Sequence, residues 1–154
     1  HIAPKLFDAV VEVVLERRLG DFNSVSLANT VWAFAKLNHA APELFDAAAE
    51  VLVQCRLRDF NPQGLANTVW AFATINETAP KLFDEVAEVA MDCLGYFSPQ
   101  NLANTLWAFA TLKHVAPKFF NEAAKVAVES RLRDFNPQEL ANTVWAFATM
   151  NHRA

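Results

Sequence analysis

Residues 65–73 read LANTVWAFA, and this stretch decides the fold because the chain contains it four times, once with Leu for Val. The copies begin at Leu27, Leu65, Leu102 and Leu140, and their tryptophans are spaced by 38, 37 and 38 residues. A regular period of this length is typical of solenoids, in which each unit packs against its neighbours. The sequence therefore predicts an all-α fold, a right-handed α-solenoid of stacked helical hairpins with a period of about 38 residues.

Each predicted unit contains a helix A followed by a helix B. In the second unit, Pro42 opens helix A, and Asn61 caps helix B ahead of Pro62 at its first position. Glu139 in the fourth unit stands where a capping box with Asn136 requires it. Because the chain begins without Met and ends in the phase of a further repeat, we expect a piece of a longer solenoid. The single array over residues 1–154 divides into units 1–38, 39–76, 77–113 and 114–151.

Composition narrows the classes of function. Hydrophobic residues make up 53% of the chain, so every unit has apolar surface to bury, but no apolar run is long enough to cross a membrane. The net charge of −4 argues mildly against strong non-specific nucleic-acid binding. No phosphate loop, nucleophile–base pair or metal-ligand cluster stands out in the sequence. We therefore predict neither an enzyme nor a cofactor or metal site.

The repeat resembles the octotricopeptide repeat family over the whole chain. The resemblance rests on A-P-x-L-F near the start of a unit and on F-N-P-Q-x-L-A-N-T-x-W-A-F-A after it. It implies an α-solenoid that binds single-stranded RNA in plastids or mitochondria and acts in transcript stability, processing, splicing or translation. Some relatives are structural parts of organellar ribosomes. The leading hypothesis is thus sequence-selective RNA binding, and the alternative is a protein-interaction or structural scaffold within such a complex.

The asparagine and threonine of each LANTVWAFA copy are candidate contacts for RNA. An amide has both donors and an acceptor, so a row of amides along the inner groove would hold nucleotide edges or an extended backbone. The alternative is a buried ladder that satisfies neighbouring polar groups. The candidate groove residues are Asn29, Asn67, Asn104, Asn142, Thr30, Thr68, Thr105 and Thr143.

Base selection is expected at positions that vary between copies while their frame stays fixed, because repeats that read one base each use two or three side chains per unit. One position near the start of helix B and one near its end vary in this way. Plain surface drift explains this variation equally well. The base-selecting candidates are Ser26, Gly64, Asn101, Glu139, Lys36, Thr74, Thr111 and Thr149.

The tryptophans are assigned to packing between repeats. On a helical wheel, Leu65 and Phe72 belong to the apolar face of helix B, Trp70 widens this face, and Asn67 and Thr68 lie opposite. Aromatic side chains dominate core energetics, which favours packing over stacking on bases.

Arginines cluster at the turn between helices A and B, beside the partly positive start of helix B, where they are candidates for holding phosphates. Pairing with Asp21, Asp59 and Asp134 of the same turns is the alternative. The phosphate-binding candidates are Arg17, Arg18, Arg56, Arg58, Arg131 and Arg133.

Acidic residues at intervals of four on helix A would repel RNA, so we expect helix A outside and helix B inside the solenoid. A basic inner groove favours RNA as the partner, and a neutral or apolar groove favours protein. The acidic stripes are Asp8/Glu12/Glu16, Asp46/Glu50/Gln54 and Asp84/Glu88/Asp92.

Overall fold

The structure, a computed structural model, describes residues 2–17, 22–55 and 57–150, without the side chains of Ile2, Ser130 and Arg131. Within these ranges the chain forms eight α-helices and no β-strand, which confirms the predicted all-α repeat fold. The helices are α1 (Ile2–Glu16), α2 (Ser24–Lys36), α3 (Pro42–Gln54), α4 (Pro62–Thr74), α5 (Pro80–Cys93), α6 (Pro99–Thr111), α7 (Pro117–Val126) and α8 (Pro137–Thr149).

The helices form two layers. Layer A contains the first helix of each unit (α1, α3, α5 and α7), and layer B contains the second (α2, α4, α6 and α8). Neighbouring helices contact each other far more extensively in layer B than in layer A. The closer spacing follows from small residues such as Ala66 and Ala71, both fully buried. A stack that is more closely spaced on one side curves towards that side, so layer B forms the inner surface.

Burial at the first helix of layer B shows which face meets the preceding neighbour. Ala71, Ala108 and Ala146 are buried, whereas the equivalent Ala33 of α2 is half-buried. No described layer B helix precedes α2, so this position faces the preceding helix in the other units. We call this contact the layer B seam.

Each layer B helix starts at a side-chain cap. Asn61 Oδ1 accepts a hydrogen bond of 2.7 Å from Gly64 N, and the corresponding caps are Asn23, Ser98 and Asn136. The predicted capping box is confirmed, because Asn136 N also donates to Glu139 Oε1 at 2.9 Å. Such a cap is worth about 1 kcal/mol, and it fixes where layer B begins in each unit.

The first three layer B helices end on a residue in the left-handed region, Asn38, Asn76 or Lys113, with φ of 51°, 59° and 53°. Around Asn76, the amide of Asn76 donates to Ala73 O at 3.1 Å and that of Glu77 donates to Phe72 O at 2.8 Å. This is the Schellman arrangement, which satisfies the last carbonyls and reverses the chain into the next unit.

A pair of phenylalanines joins the two layers in every unit. The ring centroids of Phe45 in α3 and Phe72 in α4 lie 5.0 Å apart, and both rings are buried. The equivalent pairs, at 4.7–5.1 Å, are Phe7/Phe34, Phe83/Phe109 and Phe120/Phe147. Tilted and edge-on ring pairs of this kind stabilise a core beyond the area that they bury.

Histidine–aspartate pairs reinforce this junction in units 1 and 3. His39 Nε2 lies 2.9 Å from Asp8 Oδ1, and His114 Nε2 lies 2.7 Å from Asp84 Oδ1. Each imidazole, at the first position of the following unit, also packs against the phenylalanine pair of that junction. At the junction of unit 2 the equivalent residue is Glu77, the first residue of unit 3, and burial and then the charge of Asp46 raise the pKa of Glu77.

Candidate nucleic-acid interface

One narrow stripe of the inner layer B helices α4 and α6 faces solvent, and the end helices α2 and α8 expose further residues such as Val144 beside it. In α4, Gln63 is exposed and Asn67, Trp70 and Thr74 are half-buried, at intervals of four, three and four residues that share one helix face. The residues between them, apart from the half-buried Gly64, are buried by layer A and by the neighbouring layer B helices. We call this surface the Asn–Trp stripe. It comprises Val25, Asn29, Trp32 and Lys36; Gln63, Asn67, Trp70 and Thr74; Gln100, Asn104, Trp107 and Thr111; and Gln138, Asn142, Trp145 and Thr149.

The tryptophans share the face of the asparagines. Trp70 and Trp107 pack partly against the core, as predicted, but both stay half-exposed, and Trp145 is 45% exposed. The prediction of a purely structural role is therefore incomplete. The wheel treated helix B as having one buried side, whereas three sides are covered and the tryptophan lies beside the open one. The same argument finds Gln63, which the sequence analysis missed.

The threonines of the LANTVWAFA copies lie in the layer B seam. Thr68, Thr105 and Thr143 are buried, and their hydroxyls donate to the carbonyls four residues earlier at 2.7 Å. Thr30 of the first unit makes the same bond at 2.8 Å and is half-buried. This corrects their placement beside the asparagines. Close packing of layer B covers the threonine side of the helix, so these hydroxyls take no part in the exposed surface.

The two variable positions have different surroundings. Gly64 borders a cavity of about 360 Å³ between α2 and α4, which Asn29, Gln63 and Asn67 also line. The carboxylate of the equivalent Glu139 already accepts a hydrogen bond, because it belongs to the capping box. Ser26 is exposed and Asn101 is half-buried.

The second variable position lies on the stripe itself. Lys36 Nζ lies 5.9 Å from the ring centroid of Trp32 and 6.0 Å from that of Trp70, within cation–π range of both. Thr74 and Thr111 are half-buried at the equivalent places, and Thr149 is exposed.

The arginine cluster is described only in part. Arg17, Arg58 and Arg133 are exposed, whereas Arg18, Arg56 and the side chain of Arg131 lie outside the described residues. Arg58 Nη1 donates to Asp92 Oδ2 at 2.6 Å, and this bond raises the pKa of Arg58 further. Asp92 belongs to helix A of the next unit, so the partner of Arg58 is not the neighbouring Asp59.

The Asn–Trp stripe and the outer surface of layer A differ in charge. Within the Asn–Trp stripe, Lys36 is the one charged residue. The acidic stripes of helix A are exposed on layer A, as in Asp46 and Glu50. The inner surface is therefore neutral and amide-rich rather than basic. By the criterion derived from the sequence, a neutral groove favours a protein partner. An RNA would be held here by stacking and hydrogen bonding more than by the neutralisation of its phosphates.

A family model described as the RNA-editing substrate-binding complex 6 protein matches residues 4–153. The chain belongs to this family. The match supports an RNA-related helical protein, while the likeness to octotricopeptide repeats stays a resemblance. A search of curated proteins finds no match.

The described residues contain neither a membrane-spanning helix nor a metal-ligand cluster. None of the helices found there combines the length and the apolar character needed to span a bilayer. Nor do His, Cys, Asp and Glu side chains gather there in a group of three or more that fits a metal ion.

Proposed function

We propose that this chain is a non-catalytic module that binds single-stranded RNA along the Asn–Trp stripe, at about one base per unit. The observation that carries the proposal is the stripe itself, which repeats one amide and one accessible indole in all four units. Membership of the RNA-editing substrate-binding complex 6 family supports a role in RNA metabolism.

The side chains of the stripe supply the two interactions that hold unpaired bases. Stacking of a base on an aromatic ring is worth about 1–3 kcal/mol. The amides of Asn67 and Asn104 each offer two donors and an acceptor to a base edge. Because Asn and Trp lie three residues apart on one helix, a base on the indole has the amide within the same unit.

Electrostatics contribute little to this mode of binding. For single strands, each neutralised phosphate adds about −0.7 to the slope of log affinity against log salt concentration. Lys36 is the one cation of the stripe, so the stripe itself accounts for a slope of about −0.7 at most. A steeper dependence would indicate phosphate contacts by cations outside the stripe, for which the arginines at the turns between the layers are the candidates.

The proposal is tested with fluorescence anisotropy of a labelled single-stranded oligoribonucleotide. We expect the parent to bind and the combined change of Asn67, Asn104 and Asn142 to Ala to weaken binding at least about 10-fold, since hydrogen bonds from neutral amides contribute about 1 kcal/mol each. Gln54→Ala removes an exposed amide from layer A and is the matched control. Equal affinities of the triple variant and the control would remove the stripe from the proposal.

The arginine edge is tested separately by reversing the charge of Arg56, Arg58, Arg131 and Arg133. We expect weaker RNA binding and a flatter dependence on salt. If the quadruple variant binds as well as the parent, the arginines do not hold phosphates, and the stripe alone carries the binding.

A second candidate is an extended peptide bound in a larger assembly, with the chain acting as a scaffold. The neutral stripe favours it, and so does Lys36, whose ammonium group shows that two neighbouring indoles accept a cation. Crosslinking that recovers protein neighbours and no RNA would establish this candidate and exclude the first.

The proposed location is an organelle. The family match is compatible with the mitochondrion and gives no support to the plastid. Fractionation of cells that express the tagged full-length protein tests this part of the proposal.

A further inference from the structure

The Asn–Trp stripe is chemically the same in units 2, 3 and 4. Each of these units has Gln, Asn, Trp and Thr in this order along its layer B helix, and the hydroxyls of Thr74 and Thr111 are buried. A solenoid that reads one base per unit distinguishes bases by differences between the side chains of its units. Identical contact sets at identical helix positions therefore select the same nucleotide.

Unit 1 departs from this pattern at both ends of its stripe. Val25 replaces the glutamine and is 61% exposed, so this unit lacks one amide. Lys36 replaces the threonine, and its ammonium lies over Trp32 and Trp70. Unit 1 therefore presents a different surface from the three units that follow it.

Variation beside the stripe has a structural task in at least one unit. The third residue of each layer B helix is Gly64, Asn101 or Glu139 in units 2 to 4. The backbone N–H of each donates to the side chain of the capping residue, and in unit 4 the Glu139 carboxylate completes the capping box. In unit 4 this position therefore serves the helix start, and the four stripe residues themselves are the same in units 2–4.

We infer that units 2–4 select a run of three like nucleotides, and that unit 1 ends the run. The inference rests on the proposed function and names its substrate class: single-stranded RNA with a tract of one repeated nucleotide. The residue types do not name the base, because an amide carries both donors and an acceptor. Because the stripe repeats, we expect the nucleotides of the tract to be alike, and the experiment identifies which nucleotide it is.

The test compares oligoribonucleotides of equal length by anisotropy, first homopolymers of A, C, G and U. The homopolymer that binds best gives the preferred nucleotide. Two oligonucleotides of the same composition then follow, one with three preferred nucleotides in a row and one with them separated by others. We expect the grouped form to bind at least about 5-fold more tightly, because separation removes one or more base contacts. Equal binding of the two forms, or tighter binding of a mixed sequence than of every homopolymer, would overturn the inference.

Two stripe variants test whether units 2–4 bind the run of like nucleotides and unit 1 ends it. Val25→Gln combined with Lys36→Thr gives unit 1 the stripe of units 2–4, so the preferred run should lengthen from three to four nucleotides. Thr111→Lys gives unit 3 the lysine of unit 1, so the preference for a grouped run should shrink. Asn101→Gly changes the variable position beside the stripe and should leave the preference unaltered. Unchanged preferences in both stripe variants would contradict the inference.

Failure of the inference is distinguishable from failure of the proposed function. If the parent binds RNA without regard to grouping, the stripe is an RNA site but not a tract reader. If the parent retains its helical circular dichroism and binds none of the oligoribonucleotides, the proposed function fails and the inference with it. Binding of an oligolysine peptide in that case would assign the stripe to a protein partner.

Discussion

Layers A and B are built from helices of similar length but differ in how closely the helices pack and in the surface that they expose. Layer B packs helix against helix through alanine and threonine, and it leaves one neutral stripe of amides and indoles open. Layer A has wider spacing and exposes acidic residues. The comparison shows that the repeated residues of this chain fall into two groups with different roles. The buried residues that recur in LANTVWAFA hold the layer B helices together at the seam. The exposed residues that recur present the same surface in several units.

The largest expected effect comes from breaking the seam. Ala71→Leu adds a branched side chain where α4 meets α2 and no space exists, since Ala71 is fully buried. Overpacking of this kind costs about 1–3 kcal/mol of unfolding free energy, measured by urea denaturation. Ala49→Leu is the matched change in layer A, where Ala49 lines an open groove of about 440 Å³ between α3 and α5. Equal losses in the two variants would contradict the difference in packing between the layers.

A smaller effect separates two threonines of the same helix. The Thr68 hydroxyl donates to Gly64 O in the seam, whereas Thr74 Oγ1 is buried without a hydrogen-bond partner. Thr68→Val should lower the unfolding free energy by about 1 kcal/mol because it removes a hydrogen bond. Thr74→Val should be neutral or stabilising, because it removes only an unsatisfied polar atom. Thermal unfolding of the two variants provides the comparison, and a larger loss for Thr74→Val would reverse the assignment.

The smallest effect concerns the junction of the layers in unit 2. Burial and Asp46 raise the pKa of Glu77 in the folded state, so the folded chain holds this proton to higher pH than the unfolded chain does. The contribution of Glu77 to stability therefore falls as the pH rises through and above its ordinary value of 4.5. Glu77→Gln should be more stable than the parent at neutral pH, and the difference should vanish in acid. A constant difference across this pH range would mean that the charge of Glu77 is not its cause.

Much of the fold followed from the sequence because its signals are local. The period of the tryptophans gave the solenoid, and the caps Asn61, Ser98 and Asn136 stand directly before the helices that they start. The capping box at Glu139 was predicted for the same reason, since both partners lie within one turn.

The candidate site was harder to predict because it depends on neighbours. A helical wheel of one helix B cannot show that other layer B helices cover two of its sides, which buries Thr68 and leaves Trp70 beside the asparagine. The ion pair of Arg58 with Asp92 joins different units and has no signal in the local sequence. The histidine pairs likewise join residues about 30 positions apart in the chain.

The central claim, that RNA binds to the Asn–Trp stripe of layer B, is tested most directly by removing one exposed aromatic ring from the stripe and one from outside it. Trp145 on the stripe is 45% exposed, and Tyr96 in the turn before α6 is 83% exposed. We predict that Trp145→Ala weakens the binding of single-stranded RNA about 5- to 150-fold, the loss of one stacked base. Tyr96→Ala should bind like the parent. Unaltered affinity in Trp145→Ala, or an equal loss in both variants, would contradict the account.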